Sequence, residues 1–147
     1  MTRDMKTIVV GVDGSEGSLQ ALRWALDEAR LRGDSVEVVH SWHVAYYGDA
    51  TGMVPYPGEV MKESADAVLA DVLAAVASDA AGITMTGRIE LGSAANTLIA
   101  ASEQADLVVV GRRGHGGFMT LIIGSVAQQV AAHAHSPVVI VASPSRA

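Results

Sequence analysis

The chain has 147 residues, half of them hydrophobic and only 4% aromatic, with a mean hydropathy of +0.31. This composition excludes a disordered chain, and the size suits one domain with an aliphatic core. The absence of cysteine excludes a disulfide scaffold, a thiolate zinc site and a cysteine nucleophile. The net charge of −6, from 10 basic and 16 acidic side chains, argues against nucleic-acid binding.

Targeting and membrane signals are weak. No stretch approaches the roughly 18 consecutive apolar residues that a membrane span needs. The first apolar run, residues 7–12, is too short for a signal peptide. We therefore expect a cytoplasmic protein with no membrane contact. Because no repeat or linker stands out, we expect residues 1–147 to form a single domain.

Strand and helix patterns alternate along the chain. Apolar runs predict strands at 7–12, 35–41, 83–91, 107–110 and 138–141, the third of them near an edge. Helical spacing and end signals predict helices at 18–32, 59–80, 93–104 and 125–135. Residues 42–58 are rich in Gly, Pro and Tyr without periodicity, and we expect a long irregular loop there. This order predicts an α/β fold, an open parallel sheet with helices on both faces.

Two of the predicted strands end in glycine-marked loops. Ligands of open parallel sheets bind beyond the carboxyl ends of the strands, so these loops are the candidate site. The first loop reads Gly11-Val12-Asp13-Gly14-Ser15. The second loop reads Gly111-Arg112-Arg113-Gly114-His115-Gly116-Gly117. A doubly wound sheet would place the two loops side by side, and glycines let the main chain approach a ligand closely.

The second loop leads to Gly124-Ser125-Val126, where a helix is predicted to begin. Its unpaired N–H groups and positive dipole end favour an anion, and the Ser125 hydroxyl adds a donor. With Arg112, Arg113 and His115 close in sequence, phosphate oxygens are the matching acceptors. Alternatives stay open: the loop is a plain turn, Ser125 is only an N-cap, and the arginines are solvated.

The spacing of the second loop distinguishes it from two common phosphate motifs. No Gly-Lys pair occurs, which excludes the Walker motif, and the Rossmann G-x-G-x-x-G fingerprint is also absent. The loop reads G-x2-G-x9-G-S from Gly111 to Ser125. This spacing, the first strand and loop at 9–15, and the closing run at 136–141 resemble the nucleotide-binding branch of the universal stress protein family. The resemblance covers essentially the whole chain.

The resemblance implies a Rossmann-like domain with strand order 3-2-1-4-5 that binds ATP and usually forms a homodimer. It implies that adenine contacts the backbone at Val39 and His40. The first loop, with Gly11, Val12, Asp13, Gly14 and Ser15, would lie beside the ribose and phosphates. The amides of Gly111, Gly114, Gly124, Ser125 and Val126 would hold the ribose and phosphate chain. Arg112, Arg113 and His115 occupy variable positions of the signature.

Asp13 has two interpretations. A carboxylate beside a triphosphate is unfavourable unless it contacts Mg²⁺ or accepts from a ribose hydroxyl, so Asp13 is a candidate Mg²⁺ contact. Its alternative role is to cap the first helix. The histidines form no metal-ligand set, and no other metal site is expected.

The favoured function is regulatory: the ATP-bound shape is read by a protein partner of unknown identity in a stress response or dormancy. The alternative is a slow ATPase or a phosphoryl- or adenylyl-transfer enzyme, although no general base is evident. Strand 138–141 is expected to pair with its copy in a homodimer. Four side chains in the long loop would either fold over a base or simply pack within the loop: Tyr46, Tyr47, Met53 and Tyr56.

Overall fold

The computed structural model describes residues 4–113 and 123–142. The described strands are β1 (Thr7–Gly11), β2 (Ser35–Trp42), β3 (Tyr46–Asp49), β4 (Gly52–Pro55), β5 (Met85–Leu91), β6 (Leu107–Gly111) and β7 (Val138–Val141). The described helices are α1 (Glu16–Arg32), α2 (Gly58–Ala75), α3 (Ala94–Ala101) and α4 (Ser125–His133). None of the helices in these ranges is both long enough and apolar enough to cross a membrane.

The main sheet has five parallel strands in the order β5-β2-β1-β6-β7. Counting only these five strands along the chain, the order is 3-2-1-4-5, which confirms the expected Rossmann-like α/β fold. β5 and β7 are the two edges, as the sequence predicted for the third strand and the family resemblance implied for the last. Every strand runs in the same direction, so all the loops that follow the strands leave at one edge of the sheet, called here the carboxyl edge.

The core explains why β1 and β6 are almost wholly apolar. One face of the sheet packs against α1 and α2 through side chains such as Val10 and Leu22. The opposite face packs against α3 and α4 through side chains such as Val108 and Leu98. A central strand buried on both faces has no position for a polar side chain, so its sequence is a continuous apolar run.

The loop predicted at 42–58 is wrong in its middle part. Residues 46–55 form an antiparallel hairpin, with Tyr47 opposite Val54 and Gly48 opposite Met53. Asp49 organises the turn, because its Oδ1 accepts from the Thr51 amide at 2.8 Å and from the Thr51 hydroxyl at 2.5 Å. Gly and Pro are frequent in this segment, and the runs of strand-forming residues between them are too short to predict strands from the sequence.

Several helix and strand boundaries also differ from those predicted, most of them by one or two residues and the largest at the end of α2. α2 ends at Ala75 rather than at residue 80, and a series of turns leads to Gly82, whose φ is +81°. β5 therefore begins at Met85 instead of residue 83. α3 ends at Ala101 instead of residue 104. Apolar residues outside α2 and β5 still pack on the core, as Val76 does in full burial and Ile83 in part, whereas residues 102–104 after α3 are polar.

Gly11 supplies a test of how tightly the core packs at the end of β1. A Cβ at this position would lie 2.5 Å from Cδ1 of Leu98, a buried side chain of α3. We expect Gly11→Ala to lower the free energy of unfolding by about 1–3 kcal/mol, because Leu98 must leave its packing position.

Gly58→Ala is the matched control for this substitution. Gly58 is the first residue of α2, and a Cβ there meets no atom within 4 Å. We expect no loss, or a gain of up to about 1 kcal/mol from the reduced freedom of the unfolded chain. Urea denaturation of both variants is the measurement, and equal losses would contradict the close packing of Gly11 on Leu98.

Candidate functional site

The two glycine-marked loops lie next to each other at the carboxyl edge. β1 pairs with β6, with Val10 opposite Val109, so the loops that follow these strands leave the sheet together. Gly111 at the end of β6 lies against the first turn of α1: a Cβ on Gly111 would be 3.0 Å from the carbonyl oxygen of Gly17. The end of β6 thus contacts α1, the helix that follows the first loop.

The start of α4 completes this arrangement. The Gly124 amide donates to the carbonyl oxygen of Arg112 at 2.8 Å, which fixes the helix start beside the end of β6. The Arg112 amide in turn donates to the carbonyl oxygen of Val141 at 2.9 Å. The first loop, the residues after β6 and the first turn of α4 therefore form one continuous surface, called here the loop site.

The amino end of α4 carries main-chain donors without a side-chain cap. Gly124 is the N-cap residue, and within residues 4–113 and 123–142 no side-chain hydrogen bond caps the helix. By contrast, α1 and α3 are capped by serine hydroxyls, Ser15 on the amide of Ser18 and Ser93 on the amide of Asn96. The interpretation of Ser125 as an N-cap is wrong, because Ser125 is the first residue inside the helix. The first amides of α4 point at the loop site, where an anion would satisfy them.

Asp13 does not itself cap α1, because Ser15 occupies the N-cap position. Instead Oδ1 of Asp13 accepts from the Ser15 amide at 2.9 Å and from the Ser15 hydroxyl at 2.5 Å. The Ser15 hydroxyl oxygen also accepts from the Ser18 amide at 3.2 Å. Asp13 thus orients the cap, and its carboxylate is held at the surface of the loop site.

The end of β2 is joined to the first loop by two hydrogen bonds. The Val12 amide donates to the carbonyl oxygen of Val39 at 2.9 Å. Nδ1 of His40 lies 2.9 Å from the carbonyl oxygen of Val12, and because that oxygen only accepts, Nδ1 is the donor. Val39 and His40, the positions expected to contact adenine, are therefore fixed relative to Asp13.

Arg112 is a basic residue of the loop site whose side chain has one unsatisfied nitrogen in the described part of the chain. Its side chain is half-buried, and its Nε is buried without a hydrogen-bond partner among residues 4–113 and 123–142. A buried N–H without an acceptor is costly, so an incoming anion that accepts from it would regain that free energy. Gly114 and His115, also expected at the site, lie outside the described residues, as do Gly116 and Gly117.

The glycines of the site have a packing role that the sequence interpretation missed. At Gly11, Gly111 and Gly124 the space that a Cβ would enter already borders protein atoms: Leu98, Gly17 and Arg112 respectively. Gly17 and Ser18 were not among the predicted site residues, although Ser18 is buried and its Oγ lies 3.3 Å from the Asp13 amide. The sequence signal was the run of small residues in the first turn of α1.

The described residues contain no group of three or more His, Cys, Asp or Glu side chains placed to hold a metal ion. A single carboxylate can still contact Mg²⁺ when substrate phosphates and water supply the other ligands. Asp13 fits that limited role through its position at the loop site.

A groove of about 720 Å³ lies away from the loop site, between α3 and the exposed face of β2 and β5. Arg88 on its floor donates to Glu37 at 2.8 Å and also contacts Glu90. Partial burial acts to lower the pKa of Arg88, but the hydrogen bond and charge of Glu37, joined by Glu90, raise it overall. The charges of this groove satisfy one another, so the loop site remains the candidate.

Comparison with known proteins decides the family. The model of the universal stress protein family matches residues 5–142. The chain belongs to this family. A universal stress protein of Mycolicibacterium smegmatis is 36% identical over 134 residues, which are 91% of this chain and 45% of that protein. A universal stress protein of Mycobacterium tuberculosis is 35% identical over 133 residues, 90% of this chain and 44% of that protein.

Solved structures of the same family share the fold. UspA of Lactobacillus plantarum superposes with a TM-score of 0.73 at 21% identity, covering 95% of this chain and 99% of that one. A universal stress protein of Archaeoglobus fulgidus in complex with dAMP gives 0.65 at 25% identity, covering 93% and 97%. This universal stress protein chain spans about half the length of the curated relatives it matches.

The caps provide a test of the site geometry. We expect Ser15→Ala to lower the free energy of unfolding by about 1 kcal/mol, because the Ser18 amide loses its acceptor and Asp13 loses its donor. Ser125→Ala should change it by no more than about 0.5 kcal/mol, since Ser125 caps nothing. Chemical denaturation without ligand measures both values. A larger loss for Ser125→Ala would contradict Gly124 as the N-cap.

Proposed function

We propose that this universal stress protein chain binds ATP at the loop site and acts as a regulatory module in a stress response or dormancy. The observation that carries the proposal is the uncapped amino end of α4, held beside the end of β6 by the hydrogen bond from Gly124 to Arg112. A helix start of this kind binds phosphate through its main-chain amides and dipole.

The phosphate chain would lie along the amides of Gly111, Gly124, Ser125 and Val126, with the Ser125 hydroxyl as a further donor. The buried Nε of Arg112 supports this placement, since a phosphate oxygen would supply the acceptor that this N–H lacks. Gly114, in the same signature, would add its amide.

The base would lie at the end of β2, near Val39 and His40. Their attachment to Val12 keeps the base end and the phosphate end of the site at a fixed separation. The solved complex of an Archaeoglobus relative with dAMP supports an adenine nucleotide as the ligand class. Asp13 would contact Mg²⁺ bound to the phosphates or accept from a ribose hydroxyl.

The bound nucleotide would act by changing the surface that the protein presents to a partner. A protein partner would read the surface that the loop site presents with ATP bound. The alternative, a slow ATPase or a transfer enzyme, needs a group that positions the nucleophile in addition to Asp13 and the arginines. The fate of the γ-phosphate therefore separates the two functions.

The test begins with the small molecule released when freshly purified protein is denatured, identified by mass spectrometry. We expect ATP, and we expect added Mg·ATP to raise the Tm of nucleotide-free protein. Arg112→Gln should weaken ATP binding by about tenfold or more in calorimetry, because a charge-assisted hydrogen bond is lost.

Arg32→Gln is the matched control, since Arg32 bonds Glu28 at the end of α1 that faces away from the loop site. It should leave the affinity unchanged. Protein that carries no nucleotide and shows no Tm rise with millimolar ATP would contradict the proposal. Steady phosphate release at about 1 s⁻¹ would assign the enzymatic alternative instead.

The open edge at β7 supports a homodimer in which two copies of Val138–Val141 pair antiparallel. The Val108 amide donates to the Pro137 carbonyl oxygen and the Arg112 amide to that of Val141. In a parallel ladder this alternation turns the amides of Val138 and Ile140 away from β6, toward a partner strand.

Proline substitutions along β7 test this pairing. Ile140→Pro removes an outward amide and should leave a folded chain with weakened dimerisation. Val139→Pro removes an amide that faces β6 and should destabilise the fold itself. Sedimentation and circular dichroism separate the two effects. A dimer unchanged in Ile140→Pro would place the interface elsewhere.

A further inference from the structure

β5 is an edge strand, and its pairing with β2 fixes which of its main-chain groups point outward. The Val36 amide donates to the carbonyl oxygen of Thr84, and the Gly92 amide donates to that of Trp42. In a parallel ladder this alternation turns the even-numbered residues of β5 toward β2 and the odd-numbered ones away from it. In the described part of the chain no second strand pairs with β5. The outward amides and carbonyl oxygens are those of Met85, Gly87, Ile89 and Leu91.

β5 lacks several features that protect an exposed edge from pairing. It has seven residues, against four in β7 at the opposite edge. Its sequence contains no proline and no lysine, and its residues pair with β2 in one uninterrupted register, without a bulge in this strand. An edge of this kind can accept a further strand through main-chain hydrogen bonds.

The charges of β5 match those of a second copy of the same strand. Arg88 and Glu90 lie two residues apart on the face toward α3, where they contact each other. When two copies of β5 are paired antiparallel about a two-fold axis at Ile89, Arg88 of each lies directly opposite Glu90 of the other. The four charges then alternate in sign around the axis. Opposite charges placed directly across from each other stabilise a strand pair.

Other registers lose this match. An axis at Arg88 would oppose two arginines, and an axis at Glu90 would oppose two glutamates, both of which are unfavourable. An axis at Gly87 would place Arg88 opposite the uncharged Thr86. The charge pattern therefore favours the axis at Ile89, in which residues 87–91 of one strand face residues 91–87 of the other.

The same register matches the side chains on the opposite face of β5, toward α2. It places Leu91 of one copy across from Gly87 of the other. Leu91 is 61% exposed, and Gly87 has no side chain to obstruct it. A Cβ on Gly87 would lie 3.0 Å from Cδ1 of Leu73, so the incoming leucine would lie beside an apolar side chain of α2. Ile89, on the axis, would contact the same residue of the second copy.

We propose that the β5 edge is a self-association surface, in which residues 87–91 of two copies pair antiparallel about an axis at Ile89. The outward groups of Gly87, Ile89 and Leu91 would form about six main-chain hydrogen bonds, two for each hydrogen-bonded residue pair. One strand pair is a small contact, so we expect a weak and reversible association with a Kd in the micromolar-to-millimolar range. The contact uses no residue of β7 or of the loop site, so it requires neither β7 pairing nor ATP.

Single thiols test the register, because the chain has no cysteine of its own. In Ile89→Cys the two thiols lie at the axis, with Cα atoms about 5.5 Å apart, which a disulfide can span. In Leu91→Cys the two Cα atoms are about 14 Å apart, which is too far for a disulfide. Each variant is oxidised mildly as full-length, nucleotide-free protein at a concentration within the expected range of Kd.

We expect Ile89→Cys to form a disulfide-linked dimer about tenfold faster than Leu91→Cys, or more. Random collision predicts the reverse order, since Leu91 is 61% exposed whereas Ile89 is partly buried. Leu91→Cys is therefore the matched control. Leu31→Cys, at a position of α1 that is 84% exposed, gives the rate of random collision.

Charge reversal in the Ile89→Cys background tests the ion pairs. Glu90→Arg should slow the cross-linking about tenfold, because Arg88 of each copy then faces an arginine. Arg88→Glu should slow it as well, and an equimolar mixture of the two variants should restore the rate, since every opposed pair is again of opposite sign. Circular dichroism shows whether each variant is folded. Glu90 is exposed, so its reversal tests the contact even where Arg88→Glu destabilises the fold beside Glu37.

Three results would overturn the proposal. The first is that Ile89→Cys cross-links no faster than Leu31→Cys, as an edge that pairs only with a peptide of another protein would do. The second is that Leu91→Cys cross-links as fast as Ile89→Cys, and the third is that Glu90→Arg leaves the rate unchanged. Failure of ATP to bind bears on none of them, because every measurement is made without nucleotide.

Discussion

The hydrogen bond from the Gly124 amide to the Arg112 carbonyl oxygen is the interaction on which the rest of the loop site depends. It joins the start of α4 to the residues that follow β6, although eleven residues separate them in sequence. Ala127 and Val130 hold α4 on the sheet by packing, and this hydrogen bond sets its first turn beside the residues that follow β6. A Cβ at residue 124 would lie 3.3 Å from the same carbonyl oxygen. The close main-chain approach that this hydrogen bond needs therefore favours glycine at position 124.

The glycines that are proposed to contact the nucleotide also pack against protein atoms, so a substitution there has two effects. Gly111 borders the main chain of Gly17, and main-chain atoms cannot move aside as a flexible side chain can. A substitution there changes stability before it changes affinity. Arg112 and Ser125 are better positions for separating the two effects, because the Arg112 Nε makes no hydrogen bond and Ser125 caps no helix in the described structure.

The sequence was sufficient for the features that depend on burial. The continuous apolar runs of β1 and β6 predicted central strands, and the spacing of their loops predicted neighbours at the carboxyl edge. It was insufficient where several polar residues compete for one role: Asp13 and Ser15 both suit an N-cap, and only the distances assign Ser15. The hairpin at 46–55 was missed because its pairing depends on the Asp49 turn, whereas Gly and Pro dominate the composition of the segment. Gly114 and His115 remain predictions.

Binding a polyphosphate to a chain with a net charge of −6 requires local rather than overall attraction. At physiological ionic strength the field of a surface charge decays over about 8 Å, so carboxylates on distant helices contribute little at the loop site. In the proposed complex, short-range donors would then dominate: the dipole and amides of α4 and the guanidinium of Arg112. The nearest carboxylate, Asp13, is bonded to the Ser15 hydroxyl and amide, which disperses part of its charge. Affinity in such a site depends on where a few main-chain donors are held, which is why the glycines that hold them matter more than the composition of the chain.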